Sequence, residues 1–529
     1  MSSLYFKGKS AVWNHHLSVP YHTLEKDTKA SLKGENDDEN LIIEGDNLLA
    51  LKALLPKYQG KIRCIYIDPP YNTGNEEWKY SDNVSSPLIK DWLGKTVDKE
   101  DLTRHDKWLC MMTPRLKLLR ELLSEDGVIF VSIDDNEQHH LRNLMNEIFD
   151  ETNFITNVIW QKKFSPQNDA KYFSDNHDFI LVYAKHKNTS DEETGWVRKL
   201  LPRTEEMEER YSNPDNDPRG PWGSSDLSVK TYSESYDYPI KTPSGKTINP
   251  TRGRCWRTSK ENFDKLVKDN RVWFGPKGDN VPRMKRFLSD VQDGLVPVTI
   301  WTHQEVGHNQ EARQELKDLF PDVDFPFETP KPVRLINRIL QLATDKDSIV
   351  LDSFSGSGTT ANSVLDMNND GGNRKFILVE MENYANSITA ERVRRVVKRD
   401  KKKIGFTYYK LGSSIDAEAI LAGKLPKYEE FAKYVFYLAT GKNHPNDKKI
   451  KEKDFFAGKS GDESIYLIYK QDLNALKKLA VTLEWAEEIN KKDNGKKIVY
   501  APACFLDEEY LDKYNIQFVS IPYNLFEKK

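Results

Sequence analysis

The sequence is poor in cysteine and contains no long apolar run. Its four cysteines, Cys64, Cys110, Cys255 and Cys504, lie far apart and form no CxxC pair. This spacing argues against a disulfide framework and against a zinc site, and it suits a reducing cytosol. The eleven histidines show no metal-ligand spacing either, so we expect no metal. Because no stretch approaches about 18 uninterrupted apolar residues, we expect no membrane span.

Net charge is also small. The 529 residues carry 79 basic and 82 acidic side chains, which leaves a net charge of −3. Overall charge therefore does not indicate a nucleic-acid-binding protein, and any such surface must come from local clusters of Lys and Arg. The length predicts roughly three domains. Because the N-terminus lacks the apolar core of a signal peptide, we expect a cytoplasmic protein.

Predicted strands and helices alternate along two stretches of the chain. The apolar runs that predict strands are 41–43, 62–67, 128–133, 179–183, 348–351 and 375–380. The segments with helical apolar spacing are 46–56, 108–124, 136–149, 331–343, 358–367 and 383–400. Near-continuous apolar strands separated by helices are typical of a parallel α/β sheet that is covered on both faces.

The pattern changes twice along the chain. Between about 187 and 310 helical periodicity disappears, and basic residues interleave with aromatic ones, as at Arg252, Arg254 and Trp256. Beyond about 405 the chain is rich in lysine. We therefore predict a lead-in, a sheet domain in two halves that flank an inserted region, and a C-terminal α/β domain. Their boundaries are 1–40, 41–186, 187–310 (the insertion), 311–404 and 405–529.

The turn Asp68-Pro69-Pro70-Tyr71 follows the predicted strand 62–67. Neither proline can continue a strand ladder or a helix, so the turn is stiff. The Asp68 carboxylate and the Pro69 carbonyl can both accept from one NH₂ group, and the Tyr71 ring can stack on a flat base. Two acceptors direct the lone pair of the amine at an electrophile. The turn thus predicts a site that activates the amino group of adenine or cytosine, although a proline turn also closes loops without such a role.

A second candidate site runs from Asp352 to Thr359, where a strand, a glycine-rich turn and a helix follow one another. Gly356 and Gly358 permit tight backbone geometry and a close approach of a ligand to the main chain. The end of a strand places that ligand at the carboxyl edge of the sheet. The segment contains neither a Gly-Lys-[Ser/Thr] phosphate loop nor the GxGxxG spacing of dinucleotide-binding proteins.

Together these motifs resemble those of the β class of amino-methylating DNA methyltransferases. The first reads Asp-Pro-Pro-Tyr-Asn-Thr-Gly at 68–74, and the second reads Phe-x-Gly-x-Gly-Thr at 354–359. Within that class the sequence is similar to the modification (Mod) subunit of type III restriction–modification systems. The catalytic turn precedes the cofactor loop, as in the β class. The resemblance implies a Rossmann-like, mostly parallel sheet in circularly permuted order that binds S-adenosyl-L-methionine.

The resemblance also implies roles for individual residues. The catalytic set that holds a flipped adenine is Asp68, Pro69, Pro70 and Tyr71. The implied cofactor-binding residues are Asp352, Phe354, Gly356, Gly358, Thr359, Glu380, Lys331 and Pro332. Glu380 ends the predicted strand 375–380 and is expected to accept the ribose hydroxyls, by analogy with dinucleotide folds. Asp46 is a candidate for the pocket wall, and a helix N-cap is an equal alternative for it.

The implied function is site-specific methylation of adenine N6 in duplex DNA by base flipping. The implied partners are duplex DNA, a second copy of the chain and a separate restriction (Res) helicase–nuclease subunit, in the cytoplasm of a prokaryote. On this reading 41–186 is the catalytic half of the sheet domain, 311–404 is its cofactor-binding half, and 187–310 recognises the target. The C-terminal region 405–529 is a candidate for contact with the partner or with DNA.

Three alternatives remain open at this stage. A cytosine N4-methyltransferase uses the same acceptor geometry, although Asp68 at the first position and the Asn-Thr-Gly extension favour adenine. Methylation of RNA or of a protein amide is a second alternative, against which the large basic and aromatic insertion argues. The third is a catalytically silent DNA-binding specificity module on a methyltransferase scaffold, which the intact motifs disfavour.

Overall fold

A computed structural model gives the fold. It describes residues 3–521 with the exception of 75–77, 80–95, 98–100, 169, 191–193, 204–208, 291–293, 417–418, 421 and 446–448. The chain divides into two compact units. The larger unit contains the chain up to Arg198 and again from Val298 onward, and the smaller unit is Lys199–Pro297.

The larger unit is built on a ten-stranded sheet. From one edge to the other, its strands are Tyr21–Leu32, Phe406–Ile415, Leu41–Glu44, Lys375–Glu380, Ile349–Asp352, Ile62–Ile67, Leu123–Ile133, His177–Ala184, Phe154–Gln161 and Ile300–Trp301. All neighbours from Phe406–Ile415 to Leu123–Ile133 run parallel. The predicted mostly parallel α/β sheet is confirmed.

Helices flank these strands, and those of the N-terminal half, such as Asn47–Tyr58 and Arg104–Leu122, bury apolar side chains in a core that they share with the sheet. The α-helices of the sheet region are Lys9–Val12, His15–Ser18, Asn47–Tyr58, Arg104–Leu122, Gln138–Phe149, His303–Val306, Asn309–Leu319, Val333–Ala343, Thr359–Met367 and Glu391–Arg399. The central strands, such as Ile62–Ile67, are almost entirely buried. That burial explains their near-continuous apolar sequence.

Two strands at one edge of the sheet change the predicted domain boundaries. Tyr21–Leu32 pairs antiparallel with Phe406–Ile415, which in turn pairs parallel with Leu41–Glu44. The N-terminal 40 residues are therefore not a lead-in outside the domain, and the sheet continues past 405. Much of Tyr21–Leu32 is exposed or only half-buried, as an edge strand can be. Because it needs few apolar residues, its sequence shows no clear strand pattern.

The smaller unit lies within the predicted insertion. Its three-stranded antiparallel sheet has the order Val272–Trp273, Arg283–Phe287, Trp222–Asp226. Two further strand pairs join Ser228–Val229 to Cys255–Trp256 and Ile240–Lys241 to Thr247–Ile248, and the described part of the unit includes helix Lys260–Lys268. A small core contains Trp256, Phe263 and Phe274. Part of the aromatic content of this region is therefore used for packing.

The C-terminal part of the larger unit has a sheet of its own. Its four strands, in spatial order, are Phe456–Ser460, Glu463–Leu467, Lys496–Ala501 and Ile516–Ser520. The accompanying helices are Tyr428–Thr440, Leu473–Leu476, Leu483–Lys492 and Glu508–Lys513. The last three strands run parallel, and the first is antiparallel to its neighbour.

Three smaller features complete the description. Trp78–Lys79 and Thr96–Val97 form a separate antiparallel pair. No helix among the described residues is both long enough and apolar enough to cross a membrane. The four cysteines are free, and three of them are buried.

Candidate active site

The two predicted sites lie at the tips of neighbouring strands. Strand Ile62–Ile67, which Asp68 follows directly, pairs parallel with strand Ile349–Asp352, with Ile65 opposite Leu351. Parallel strands end at the same edge of a sheet, so the proline turn and the glycine-rich turn emerge side by side. The prolines end the first strand because they cannot donate to the ladder. The structure thus brings together two motifs that are far apart in the sequence.

Asp68 is the centre of this arrangement. The Tyr71 hydroxyl donates to Asp68 Oδ1 over 2.8 Å, and the Lys331 ammonium forms an ion pair with Asp68 Oδ2. The Asp68 side chain is about a quarter exposed, at 23%. One predicted catalytic residue, Asp68, is thus held by another, Tyr71, and by Lys331 from the predicted cofactor-binding segment.

The proline turn is fixed to the core behind it. The indole Nε1 of the buried Trp108 donates to the Pro70 carbonyl over 2.7 Å. The side-chain amide of the buried Asn72 donates to Glu137. None of the described residues donates a hydrogen bond to the Pro69 carbonyl. The Pro69 carbonyl is therefore one acceptor that the described residues do not use.

The glycine-rich turn is shaped by hydrogen bonds to Asp352. Its carboxylate accepts from the Phe354 N–H over 3.0 Å and from the Thr360 hydroxyl over 2.5 Å. Burial raises the pKa of Asp352 to about 7, and the charges of Asp68 and Glu380 act in the same direction. Asp352 thus holds the turn, and its protonation state depends on pH near neutrality.

Positions 356 and 358 both favour glycine. Their φ angles are +48° and +79°, in the left-handed region that favours glycine. A Cβ at Gly356 would lie 3.1 Å from the Phe327 ring, and one at Gly358 would lie 2.9 Å from the Thr389 carbonyl oxygen. Phe327 and Thr389 therefore pack against the turn, and the positive φ angles disfavour any other residue at these two positions.

Glu380 lies beside this turn, at the tip of strand Lys375–Glu380. Its Oε2 accepts from the Gly356 N–H over 2.7 Å, and its Oε1 accepts from the Glu382 N–H over 3.0 Å. Burial raises the pKa of Glu380 above the usual range. Within the turn, Ser353 Oγ is buried and has no hydrogen-bond partner among the described residues. The turn thus presents a buried acceptor and a hydroxyl whose bonding capacity is unused.

The segment with Lys331 and Pro332 also contacts the glycine-rich turn. The Lys331 carbonyl accepts from the Thr359 hydroxyl over 3.1 Å, and Pro332 is the N-cap residue of helix Val333–Ala343. The backbone of Lys331 therefore binds one motif while its side chain binds Asp68 in the other. All the predicted cofactor-binding residues lie along the tips of two adjacent strands and this segment.

Asp46 acts as a helix cap. Its Oδ1 accepts from the backbone N–H groups of Leu48 and Leu49, at 2.9 and 3.3 Å, at the start of helix Asn47–Tyr58. Its other oxygen lies 3.6 Å from the Arg115 guanidinium. Of the two alternatives for Asp46, the structure shows the N-cap.

Sequence reasoning missed two residues that support the glycine-rich turn. The Asn47 side-chain amide donates to the Ser353 carbonyl over 3.1 Å. The fully buried Arg392 donates to the hydroxyls of Ser357 and Thr359 over 3.0 and 2.8 Å, and burial lowers its pKa to about 10. Asn47 directly follows Asp46, the candidate for the pocket wall, and could have been singled out. Nothing in the sequence marks Arg392, because its role depends on packing between distant segments.

A further acid–base pair lies near Asp68. Lys162 Nζ is 2.6 Å from the carboxylate of the buried Asp178, whose pKa is raised by burial and, to a smaller extent, by the charge of Asp68. The side chains of Asp68, Asp178, Asp352 and Glu380 place four carboxyl groups at one edge of the sheet. The ammonium groups of Lys162 and Lys331 partly neutralise the negative charge of these carboxyl groups. This edge is suited to binding amines and cations rather than phosphates.

Comparisons with known proteins cover much of the chain. The sequence model of a family described as DNA methylase matches residues 62–391. The StyLTI Mod subunit of a type III restriction–modification enzyme from Salmonella typhimurium is 35% identical over 421 residues, which cover 72% of this chain and 62% of that protein. The EcoP15I Mod subunit from Escherichia coli is 30% identical, and the match covers 74% of this chain and 68% of that protein. The EcoPI Mod subunit from Escherichia phage P1 is 31% identical, and the match covers 73% of this chain and 68% of that protein. The chain thus spans 62% to 68% of the length of these relatives.

Proposed function

This chain belongs to the DNA methylase family, and we propose that it methylates adenine N6 in duplex DNA as the modification and specificity subunit of a type III restriction–modification system. Its resemblance to Mod subunits is confirmed by the relatives that match it. One observation carries the proposed activity. The amine-binding turn at Asp68 lies beside the glycine-rich turn at Asp352, on adjacent parallel strands.

The glycine-rich turn fits S-adenosyl-L-methionine as the methyl donor. A ligand with ribose hydroxyls matches the buried carboxylate of Glu380 and the unpartnered hydroxyl of Ser353. The residues that would hold it are Asp352, Phe354, Gly356, Gly358, Thr359 and Glu380, with Lys331 and Pro332 beside them. When bound, the cofactor supplies an electrophilic methyl group on a sulfonium centre. The carboxyl-rich edge of the sheet complements that positive charge.

The proline turn binds the target base. An adenine that is flipped out of the duplex stacks on Tyr71 and donates its two amino hydrogens to the Asp68 carboxylate and the Pro69 carbonyl. Tyr71 and Lys331 already bind Asp68, one at each carboxylate oxygen, so the amine either shares an oxygen with one of these donors or displaces it. The gain in rate comes mainly from holding the amine in line with the methyl group. No covalent intermediate with the enzyme is required.

We assign target recognition to the smaller unit, Lys199–Pro297, within the predicted region 187–310. Arg252, Arg257 and Arg286 are exposed in it and are available to DNA. Arginine pairs bidentately with guanine edges, and lysine neutralises phosphates. The further partners that we propose are a second copy of the chain and a Res subunit, with the C-terminal region as the candidate contact. The setting is the cytoplasm of a prokaryote.

Methylation of a random-sequence DNA library tests this function. The purified chain is incubated with the library and S-adenosyl-L-methionine, and the nucleosides are separated by mass spectrometry. We expect N6-methyladenine, and single-molecule sequencing should place it in one short sequence. N4-methylcytosine would contradict the adenine assignment. If the protein binds the cofactor but the DNA contains no methylated base, the proposed activity is contradicted.

A further inference from the structure

His105, Glu137 and His140 form a cluster that the proposed reaction does not use. One ligand atom from each residue lies within 4.8 Å of the others. His105 lies in the first turn of helix Arg104–Leu122, and His140 lies in the first turn of helix Gln138–Phe149, of which Glu137 is the N-cap residue. Two helix starts therefore bring two imidazoles and one carboxylate together.

The carboxylate of Glu137 is only half satisfied. Glu137 is fully buried, at 0% exposure. Its Oε1 is 2.6 Å from His105 Nδ1 and also accepts from the Asn72 side-chain amide. Its Oε2 is buried and has no hydrogen-bond partner in the described part of the chain. A buried carboxylate oxygen without a donor is costly, and a bound cation would satisfy it.

We propose that His105, Glu137 and His140 bind a divalent transition-metal ion. Two imidazole nitrogens and one carboxylate oxygen are a ligand set that Zn²⁺ and non-haem iron use in proteins. Carboxylate and imidazole side chains three positions apart at the start of a helix can face the same ion. The spacing of the histidines did not suggest this site, because His105 lies 32 positions from Glu137 in the sequence.

The ion would position the catalytic turn rather than take part in methyl transfer. Glu137 holds the side chain of Asn72, which follows Tyr71 directly. A metal that fixes Glu137 therefore also fixes the far end of the turn that begins at Asp68. It further joins the starts of helices Arg104–Leu122 and Gln138–Phe149. Metal binding should accordingly stabilise the folded chain even without cofactor or DNA.

Metal uptake by the full-length chain tests the site directly. The purified protein is stripped with a chelator and then titrated with Zn²⁺ in a calorimeter and with Co²⁺ in an absorption spectrometer. We expect one ion per chain, a cobalt spectrum with nitrogen and oxygen ligands, and a higher thermal midpoint with Zn²⁺. His105→Gln and His140→Gln should each weaken Zn²⁺ binding by at least about 100-fold, since each removes a ligand and even the loss of a group that only orients a ligand costs about 10–100-fold.

His139→Gln is the matched control. His139 is the exposed neighbour of His140 and is not one of the three ligands, so this variant should bind Zn²⁺ like the wild type. The absence of uptake by the wild type would overturn the proposal whatever the variants do. Equal affinity in the wild type, His105→Gln and His140→Gln would assign the bound ion to another surface and would overturn it as well.

Discussion

The ammonium group of Lys331 forms an ion pair with the carboxylate of Asp68, although 263 positions separate the two residues. Lys331 Nζ also lies 5.3 Å from the centre of the Tyr71 ring. The side chains of Lys331 and Asp68 are only 11% and 23% exposed, so solvent screens the pair incompletely. This contact links the segment before the glycine-rich turn to the proline turn and orients the carboxylate that we propose binds the target amine.

Asp68→Ala should reduce kcat for methyl transfer by about a thousandfold while cofactor binding changes little. The variant removes one of the two acceptors for the amine, and losses of this size follow removal of a single group that stabilises a transition state. Kd for S-adenosyl-L-methionine and single-turnover rates on DNA measure the two effects separately.

Asp347→Ala is the control for this prediction. Asp347 is exposed and precedes strand Ile349–Asp352, so it lies at the opposite end of that strand from the site. It should leave both quantities unchanged. Near-normal methylation by Asp68→Ala would reject the proposed role of the turn.

Lys331→Met should lower kcat by about tenfold, because Asp68 loses one of the two donors that hold it. In an Asp68→Asn background the same substitution should have almost no further effect on kcat, since the variant carboxamide carries no charge for Lys331 to pair with. Single-turnover rates of the wild type, both single variants and the double variant complete a thermodynamic cycle. Additive effects would show that Lys331 acts on the reaction through some other contact.

Asp352→Asn should change how stability depends on pH. Burial raises the pKa of Asp352 to about 7 in the folded chain, well above the ordinary value of 3.8. The folded state therefore binds the proton more tightly than the unfolded state does. The stabilising contribution of Asp352 to the free energy of unfolding is fully present at low pH and is lost as pH rises toward 7. Because of this group, the free energy of unfolding falls by about 1.4 kcal/mol per pH unit between roughly pH 4 and 7.

The asparagine variant lacks this proton, and its amide can still accept from Phe354 and donate to Thr360. The difference in free energy of unfolding between wild type and variant should thus shift in favour of the variant between pH 5 and pH 7 and then level off. Urea denaturation at a series of pH values measures it. Parallel pH profiles for the two proteins would show that Asp352 is ionised throughout.

The central strands and their tips could be predicted because their sequences carry strong local signals. The strand 375–380 was predicted with the bounds that the structure shows, and the helix starting near 358 begins at Thr359. Apolar runs of this kind must be buried on both faces, so they have few alternatives. Proline and glycine then mark where each strand has to end.

Contacts between distant segments could not be predicted in the same way. The Asp68–Lys331 pair, the hydroxyls bound by Arg392 and the placement of Tyr21–Leu32 at the sheet edge all depend on which segments become neighbours. Only the resemblance of its segment points to Lys331, and nothing in the sequence indicates its ion pair with Asp68. Polar contacts leave no periodic pattern in the sequence, so they become visible only after the fold is known.

Gly358→Ala should destabilise the chain and weaken cofactor binding, whereas Gly371→Ala should only destabilise it. Both glycines have nearly the same φ, +79° and +78°, so both variants incur a conformational cost of about 1–2 kcal/mol. A Cβ at Gly358 would also lie 2.9 Å from the Thr389 carbonyl oxygen, whereas one at Gly371 would meet nothing within 4 Å. Thermal midpoints and Kd for S-adenosyl-L-methionine test the pair, and equal Kd values would argue against contact between the turn and the cofactor.

Exchange of Lys199–Pro297 for the corresponding segment of a family member with another target should transfer the target sequence. The segment is a compact unit with its own small core, so it can be replaced without removing any strand of the ten-stranded sheet. All the residues that we assign to chemistry lie outside it, so kcat should stay close to that of the parent. Single-molecule sequencing of DNA methylated by the chimera identifies the site. A chimera that methylates the donor sequence would place recognition within these 99 positions (199–297). A chimera that still methylates the parent sequence would show instead that the larger unit reads the bases.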